Sequence, residues 1–325
     1  MSTAAADRVT PISDLDDGSS IDRVLIVGDL KRCTTRKGSD YLRLVVGDRT
    51  GSLPAVMWEP PSEVDGCHAL RVVERVSGHP RYGRQVVVSE LMESGPDEVD
   101  LSMLVAGPQQ DPAVLERRLD GVLDGVEDPD LRTLLQKLLG PGGELRAPFL
   151  RATAAKYNHH AYPGGLLEHT LQVLEAVHSV AAQHPVIDRD LAVAGALLHD
   201  IGKLDTYDDD PIAAGFTDAG RLEGEIPLGY YRVRRAIDQA PGFPTERALG
   251  LLHIILSHHG LLDHGSPVVP STREAVLVHA MDHLSSMLGA FDRLERESPA
   301  GETWSRYDHV LEASAWFPSE GRSET

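Results

Sequence analysis

Two hydrophobic rhythms divide the chain. Up to about residue 93, apolar positions come in short runs broken by turn chemistry. The runs are Ile21–Leu30, Tyr41–Gly47, Leu53–Trp58, Ala69–Val76 and Arg84–Leu91, rich in Val, Ile, Leu and Tyr. Between them stand Arg36-Lys37-Gly38-Ser39, Asp48-Arg49-Thr50-Gly51 and Gly78-His79-Pro80. This punctuation predicts five short strands with no room for a long helix, which fits a small barrel of SH3-like or OB type. Further on, the spacing lengthens to three and four. Asp111-Pro112 is an N-cap followed by proline at the first helical position, and Leu115, Leu119, Val122, Leu123 and Val126 follow at helical intervals. Asp128-Pro129 repeats the signal before Leu131, Leu134, Leu135, Leu138 and Leu139. More helices are expected at about 144–156, 165–184, 188–200, 225–240, 245–258, 271–290 and 306–315.

The expected fold class is therefore multidomain α and β: an N-terminal five-stranded OB-type β-barrel followed by an all-α helical domain. Residues 1–20, rich in Ala, Ser and Asp, read as a mobile tail, and 21–95 as the barrel. Residues 96–111, with Gly107-Pro108-Gln109-Gln110 at their end, read as a linker, and 112–325 as the helical domain. A length of 325 residues suits two domains.

Composition narrows the class. The chain is 41% hydrophobic and 25% charged, ordinary for a globular protein. No apolar run approaches the ~20 residues of a membrane span. The first twenty residues lack an apolar core of the signal-peptide kind, so a cytoplasmic protein is expected, with no membrane partner. Cys33 and Cys67 are too few for a disulfide framework or a cysteine zinc site. The net charge of −19 hides an asymmetry: residues 21–95 carry 11 Lys/Arg against 10 Asp/Glu, and the rest 20 against 40. The barrel is thus basic relative to the remainder, and the excess carboxylates elsewhere leave room for bound cations.

Histidine is the unusual residue. Twelve of 15 fall between His159 and His283, a clustering that reads as metal binding or acid–base chemistry. Four pieces carry it: Gly164-Gly165-Leu166-Leu167-Glu168-His169-Thr170 opening a helix, His199-Asp200-Ile201-Gly202-Lys203 closing one, Ser257-His258-His259-Gly260 closing another, and Asp282 within the helix that begins near Thr272. These side chains suit one or two divalent cations of the Mn, Fe, Zn, Ni or Co kind, with no thiolate to favour zinc. Adjacent residues at a helix end point about 100° apart, so a doublet can serve two ions, and a carboxylate such as Asp200 can bridge them.

The series His169, His199-Asp200, Asp282 resembles the HD phosphohydrolase superfamily. The fuller text is more specific: Tyr162 to Thr170, Leu197-Leu198-His199-Asp200-Ile201-Gly202-Lys203 and Leu256 to Gly260 are similar to YhaM-type 3′–5′ exoribonucleases, which join an OB domain to an HD domain. Gly38-Ser39-Asp40-Tyr41-Leu42 and Val46 to Gly51 resemble the start of that OB domain. The resemblance spans about residues 21–315 and implies the following. His169, His199, Asp200 and Asp282 would hold a first metal. Asp200 would bridge to a second, held by Glu225, His258 and His259. Asp200 and Lys203 would be catalytic, Lys203 by reaching a phosphate oxygen. There is one departure: Glu225 follows Gly224 where the family pattern carries His. The negative charge there puts manganese first among the expected ions, with Fe, Ni, Co, Zn and Mg compatible.

The expected activity is thus metal-dependent 3′–5′ exoribonuclease action on single-stranded RNA, or DNA. The alternatives are an HD phosphohydrolase acting on nucleotides or cyclic nucleotides, and a nucleic-acid-binding protein with a degraded HD site. A homo-oligomer is compatible with any of these. In the barrel, Tyr41, Trp58 and Tyr82 would stack bases, with Arg36, Lys37, Arg43, Arg81 and Arg84 near phosphates; the alternative is that Tyr41 and Trp58 fill the core. His160 is a candidate for support behind the ligands. His253, His279 and His283 read as neighbours or core, and Asp208-Asp209-Asp210 as a solvated loop.

Overall fold

A computed structural model describes residues 10–35, 37–61, 68–79, 83–94, 100–105, 107–155, 160–210, 214–298 and 302–318. The chain forms two compact units that divide between Gly107 and Pro108. Each of the five apolar runs becomes a strand: β1 (Ser20–Thr34), β2 (Asp40–Asp48), β3 (Gly51–Met57), β4 (His68–His79) and β5 (Gly83–Glu93). They close a barrel in the order β1-β2-β3-β5-β4. All pairings are antiparallel except β3 with β5, which run parallel at Ala55 opposite Val86 and Val56 opposite Val87. Irregularities in register at Gly28/Lys31 and Val73/Glu74 bend the longest strands, as closure of so small a barrel requires. On β2 the alternation is plain: Leu42, Leu44 and Val46 are buried, and Tyr41 and Arg43 share the opposite face.

The expected tail of residues 1–20 is corrected over its described part. Ile12–Asp14 form a 3-10 turn, Ile12 is fully buried and Leu15 is buried with it in the barrel core. The Ile12 amide donates to Asp48 Oδ2 at 3.0 Å, the oxygen that also accepts from Arg23, and Gly18 and Ser19 pair with Val76. Two apolar residues three apart are enough to join the barrel core, and such a short signal has no periodicity to betray it. Residues 1–9 lie outside the described part. Within the expected linker, α1 (Leu101–Leu104) makes a single helical turn whose Met103 carbonyl accepts from the Arg49 amide.

The second unit is built from α2 (Pro112–Asp124), α3 (Pro129–Leu139), α4 (Arg146–Arg151), α5 (Gly165–Ala181), α6 (Arg189–Leu198), α7 (Lys203–Thr206), α8 (Asp218–Leu222), α9 (Glu225–Asp238), α10 (Thr245–Ser257) and α11 (Arg273–Glu297). Asp111 and Asp128 cap α2 and α3 as their positions before proline predict. α6 is buried from Asp190 to Leu198, apolar on every side, and so runs through the middle of the core with α5, α10 and α11 around it. Among the described residues no helix is long and apolar enough to cross a membrane.

The helix expected at 306–315 is a hairpin instead, so the second unit is not all-α. β6 (Trp304–Asp308) pairs antiparallel with β7 (Ala313–Trp316). Ser305 and Ala315 are buried while Trp304 and Trp316 are exposed, and an irregularity in register between Trp304 and Tyr307 interrupts the alternation. Asp308 settles the turn by accepting from the amides of Val310 and Leu311, and Ala315 and Phe317 pack on Leu294 of α11.

Candidate metal centre

The candidate ligands stand at helix ends and on one helix face, and glycines put them there. Gly164 has φ +82° and opens α5, which carries His169 in its second turn. α6 stops at His199, and the turn Asp200-Ile201-Gly202 hands over to α7 at Lys203. A Cβ on Gly202 would collide with the Glu225 carbonyl, so only glycine lets the start of α9 come this close. α10 ends at His258, with His259 beside it, and Asp282 faces them from the middle of α11.

Two donor clusters result, His169–His199–Asp282 and Glu225–His258–His259. In the first, His169 Nε2 lies 3.2 Å from Asp282 Oδ1 and 3.3 Å from His199 Nε2. In the second, His259 Nε2 lies 3.0 Å from Glu225 Oε1. Asp200 stands between them. Its Oδ2 is 3.4 Å from both His169 Nε2 and His199 Nε2, and its Oδ1 is 3.6 Å from His258 Nε2. The imidazoles are aimed by backbone carbonyls: Nδ1–H of His199 donates to Ala196, that of His258 to Ile255 and that of His259 to His264. A carbonyl only accepts, so each bond fixes Nδ1 as the donor and turns Nε2 inward.

The residues fit a divalent cation on the structure's own terms. His258 Nε2 and Asp200 Oδ2 are buried without a hydrogen-bond partner, a costly state that a cation ligated by each would relieve. The donors are imidazole and carboxylate, the set suited to borderline and hard divalent ions. Lys203 Nζ lies 3.0 Å from Asp200 Oδ2, in an ion pair off the angles of a hydrogen bond, and 3.8 Å from Glu225 Oε2. Burial would lower its pKa, but Asp200, Glu225 and Asp282 outweigh that and hold the ammonium charged.

The buried carboxylates and imidazoles set each other's protonation. Burial alone would raise Asp200 and Asp282, yet both carboxyls stay well below their usual range, Asp200 through Lys203, His199 and His169, and Asp282 through His169 and His199. Burial would lower His199, but Asp200 and Asp282 push it up to about 10, and His169 rises for the same reason. Two ring nitrogens 3.3 Å apart need a proton between them. His258 goes the other way, lowered by burial and by the neighbouring imidazoles. His259 is raised, Glu225 outweighing burial.

A pH dependence follows. Cation binding at the His169–His199–Asp282 cluster must expel the proton that these imidazoles hold, so apparent affinity there rises with pH through neutrality and levels off above about 10. Calorimetric titration with Mn²⁺ in buffers of different ionisation enthalpy should show about one proton released per ion at that centre. Affinity independent of pH between 6 and 9 would remove the argument.

The other sequence candidates fall into place around this centre or away from it. His160, at φ +58°, is not among the cluster donors; its Nδ1 is 2.8 Å from Tyr162 Oη and its Nε2 3.1 Å from Gln172 Oε1, with its ring 5.8 Å from that of His169. Tyr162 in turn donates to buried Glu168, which also accepts from the Gln109 amide. Ser285, which the sequence reading passed over, sits 3.4 Å from His169 Nδ1. Its signal was only its place one turn beyond Asp282. His253 accepts from the Ser271 amide, and Asp208 holds a turn by accepting from Asp210 and Gly215. A cavity of about 320 Å³ opens over Asp200 and Asp282, with His264, His279 and His283 in its wall.

In the barrel, Tyr41 and Trp58 lie together with ring centroids 5.3 Å apart, and Trp58 is 54% exposed, so it does not fill the core. Arg43 is exposed on the same face of β2 as Tyr41. Arg84 donates to the Leu15 carbonyl at 3.0 Å. Tyr82, Arg36 and Arg81 lie outside the described residues.

Fold and site together define a class: a helical domain that gathers histidine and aspartate around a shared carboxylate in clusters that could hold divalent cations, preceded in the chain by an OB-type barrel. Compared with known families, residues 166–287 match the HD domain, which marks a metal-dependent hydrolase superfamily. The match takes in both donor clusters.

Proposed function

We propose that this protein is a metal-dependent 3′–5′ exoribonuclease that feeds single-stranded RNA, or DNA, past an OB-type barrel to the HD site. The observation that carries the hydrolytic part is the division of Asp200, one oxygen toward His169 and His199, the other toward His258. Divalent cations held there would activate water and neutralise charge developing on a phosphodiester. The chain does the positioning. Asp200 serves both clusters, the carbonyl-anchored imidazoles keep Nε2 inward, and Lys203 would present its ammonium to a phosphate oxygen. Direction from the 3′ end rests on the resemblance of the Tyr162–Thr170, Leu197–Lys203 and Leu256–Gly260 motifs to YhaM-type enzymes. A binding role for the barrel rests on Tyr41 and Arg43 on β2 and on Trp58 just past the end of β3, since OB folds bind oligonucleotides on their strand 2–3 face.

The test is metal analysis of the purified protein, followed by digestion of short RNAs with free and blocked 3′ ends. Loss of 3′ nucleotides from the free RNA alone is expected. A cavity of about 320 Å³ is at the small end of ligand sites, which also suits a free nucleotide. Hydrolysis of free or cyclic nucleotides with RNA left intact would decide for that phosphohydrolase. Protein without a stoichiometric transition metal, and inert to all of these, would be a binding protein with a degraded site.

Trp58→Ala should weaken binding to long single strands by roughly five- to a hundredfold, the cost of one lost stacked base. Arg43→Ala should lower the salt dependence of that binding by about one phosphate's worth. Neither should much change hydrolysis of bis-p-nitrophenyl phosphate, which has no neighbouring nucleotides for a second contact to engage. Unaltered affinity in both variants would deprive the barrel face of this role.

A further inference from the structure

We infer that His279 selects ribose, by accepting a hydrogen bond from the 2′-hydroxyl beside the phosphodiester in the HD cavity; the inference rests on the phosphodiesterase reading above. His279 belongs to neither donor cluster, yet it is held as firmly as the residues that do. Its Nδ1–H donates to the His258 carbonyl at 2.7 Å. That partner cannot donate, so the bond fixes Nδ1 as the donor and selects the tautomer whose lone pair lies on Nε2. The ring is also gripped from the side. Gly260 has φ +81°, and a Cβ there would collide with Cε1, Nε2 and Nδ1 of His279. Only a glycine lets the imidazole lie in that place, and the ring in turn lies parallel to that of His283, 19° apart in plane with centroids 6.0 Å apart. Among the described residues Nε2 of His279 makes no hydrogen bond, and the side chain lines the same cavity as Asp200, Lys203 and Asp282.

A fixed acceptor on the wall of a phosphate site is an odd choice for holding phosphate, whose oxygens are acceptors too. Its partner must be a donor. The bond to His258 keeps the ring next to one donor cluster, so on the phosphodiesterase reading its partner is a donor beside the phosphodiester that this cluster's cation would hold. In a nucleic acid the base amines are too far from the backbone to qualify. The hydroxyl vicinal to the bridging O3′ is the donor nearest to the phosphodiester, and DNA lacks it. A site built to bond a hydroxyl rejects the analogue without one, because its own polar group is left unpaired.

The experiment compares two short oligonucleotides that differ only by one 2′-deoxy sugar on the O3′ side of the scissile phosphodiester. His279→Asn keeps an amide donor near the His258 carbonyl and deletes the acceptor at the position of Nε2. His279→Gln keeps an acceptor there. Metal content and thermal melting confirm that each variant is folded and loaded. For the native chain kcat/KM should favour the ribose substrate by roughly ten- to a hundredfold. In His279→Asn that ratio should fall close to one, and in His279→Gln most of it should return. Competition by ribose against 2′-deoxyribose nucleoside 3′-monophosphates should shift in parallel. A native ratio near one, or a ratio that His279→Asn leaves in place, overturns the inference while the phosphodiesterase reading stands. A native protein that cleaves neither substrate overturns both.

Discussion

Asp200→Ala should abolish hydrolysis, with a fall of about a thousandfold or more, and should strip the protein of bound transition metal. Asp200 addresses both clusters with its two oxygens: one faces His169 and His199 and the other His258. Removing it leaves each cluster as two imidazoles and one carboxylate with nothing between them. It also takes from the Lys203 ammonium its 3.0 Å partner and leaves only Glu225 at 3.8 Å. Loss of one member of a buried ion pair costs about 3–5 kcal/mol, so part of the effect in Asp200→Ala could be instability. Asp200→Asn takes away the cavity but not the charge loss. It keeps the side chain's shape and leaves Lys203 without its counter-ion, so its melting temperature reads the ion-pair cost by itself, and it should still bind no stoichiometric metal. Either variant retaining full activity without metal would refute the assignment of the site.

How much of this was legible beforehand depended on how local each signal was. The barrel strands were readable because each is framed by its own turn residues, as Asp48 and Gly51 frame the hairpin between β2 and β3, where Asp48 accepts from the Thr50 amide. Helix starts were readable where Asp precedes Pro, at Asp111 and Asp128. The metal motifs were readable because helix-ending glycines mark where the ligands must stand. What escaped was long-range or short of a full period. Ile12 and Leu15 join a barrel core that exists only once five strands have closed. The hairpin of β6 and β7 was mistaken for a helix because its turn depends on Asp308, which is held by Arg293 from α11. Ser285 and the grip on His279 come from contacts between α10, α11 and α5 that no spacing along one helix reveals.

The same distinction explains why position 225 is the most informative one to change. The resemblance expects a neutral imidazole there, and the structure puts a carboxylate into the same company, with Oε1 3.0 Å from His259 Nε2 and Oε2 facing Lys203. Burial would raise this carboxyl, but Lys203 and His259 hold it below its usual range, so it stays ionised. A second ion would therefore meet one more negative charge than in a site with histidine, which favours harder cations such as Mn²⁺ over imidazole-preferring ones. Glu225→Ala should lose that ion first, with its affinity falling by roughly a hundredfold or more, at or above what the loss of an outer partner costs. Glu225→His should keep activity and move the preference toward Ni²⁺, Co²⁺ or Zn²⁺. The variant site carries less negative charge, which favours the deprotonated form of any acid bound there, so its pH–rate profile should shift to lower pH. Metal analysis and pH–rate profiles of the three proteins, each loaded with Mn²⁺ and with Ni²⁺, decide the matter. If Glu225→Ala kept native stoichiometry and profile, Glu225 would be no more than a counter-ion to Lys203 and His259, and the second cluster would have to hold its ion with His258, His259 and Asp200 alone.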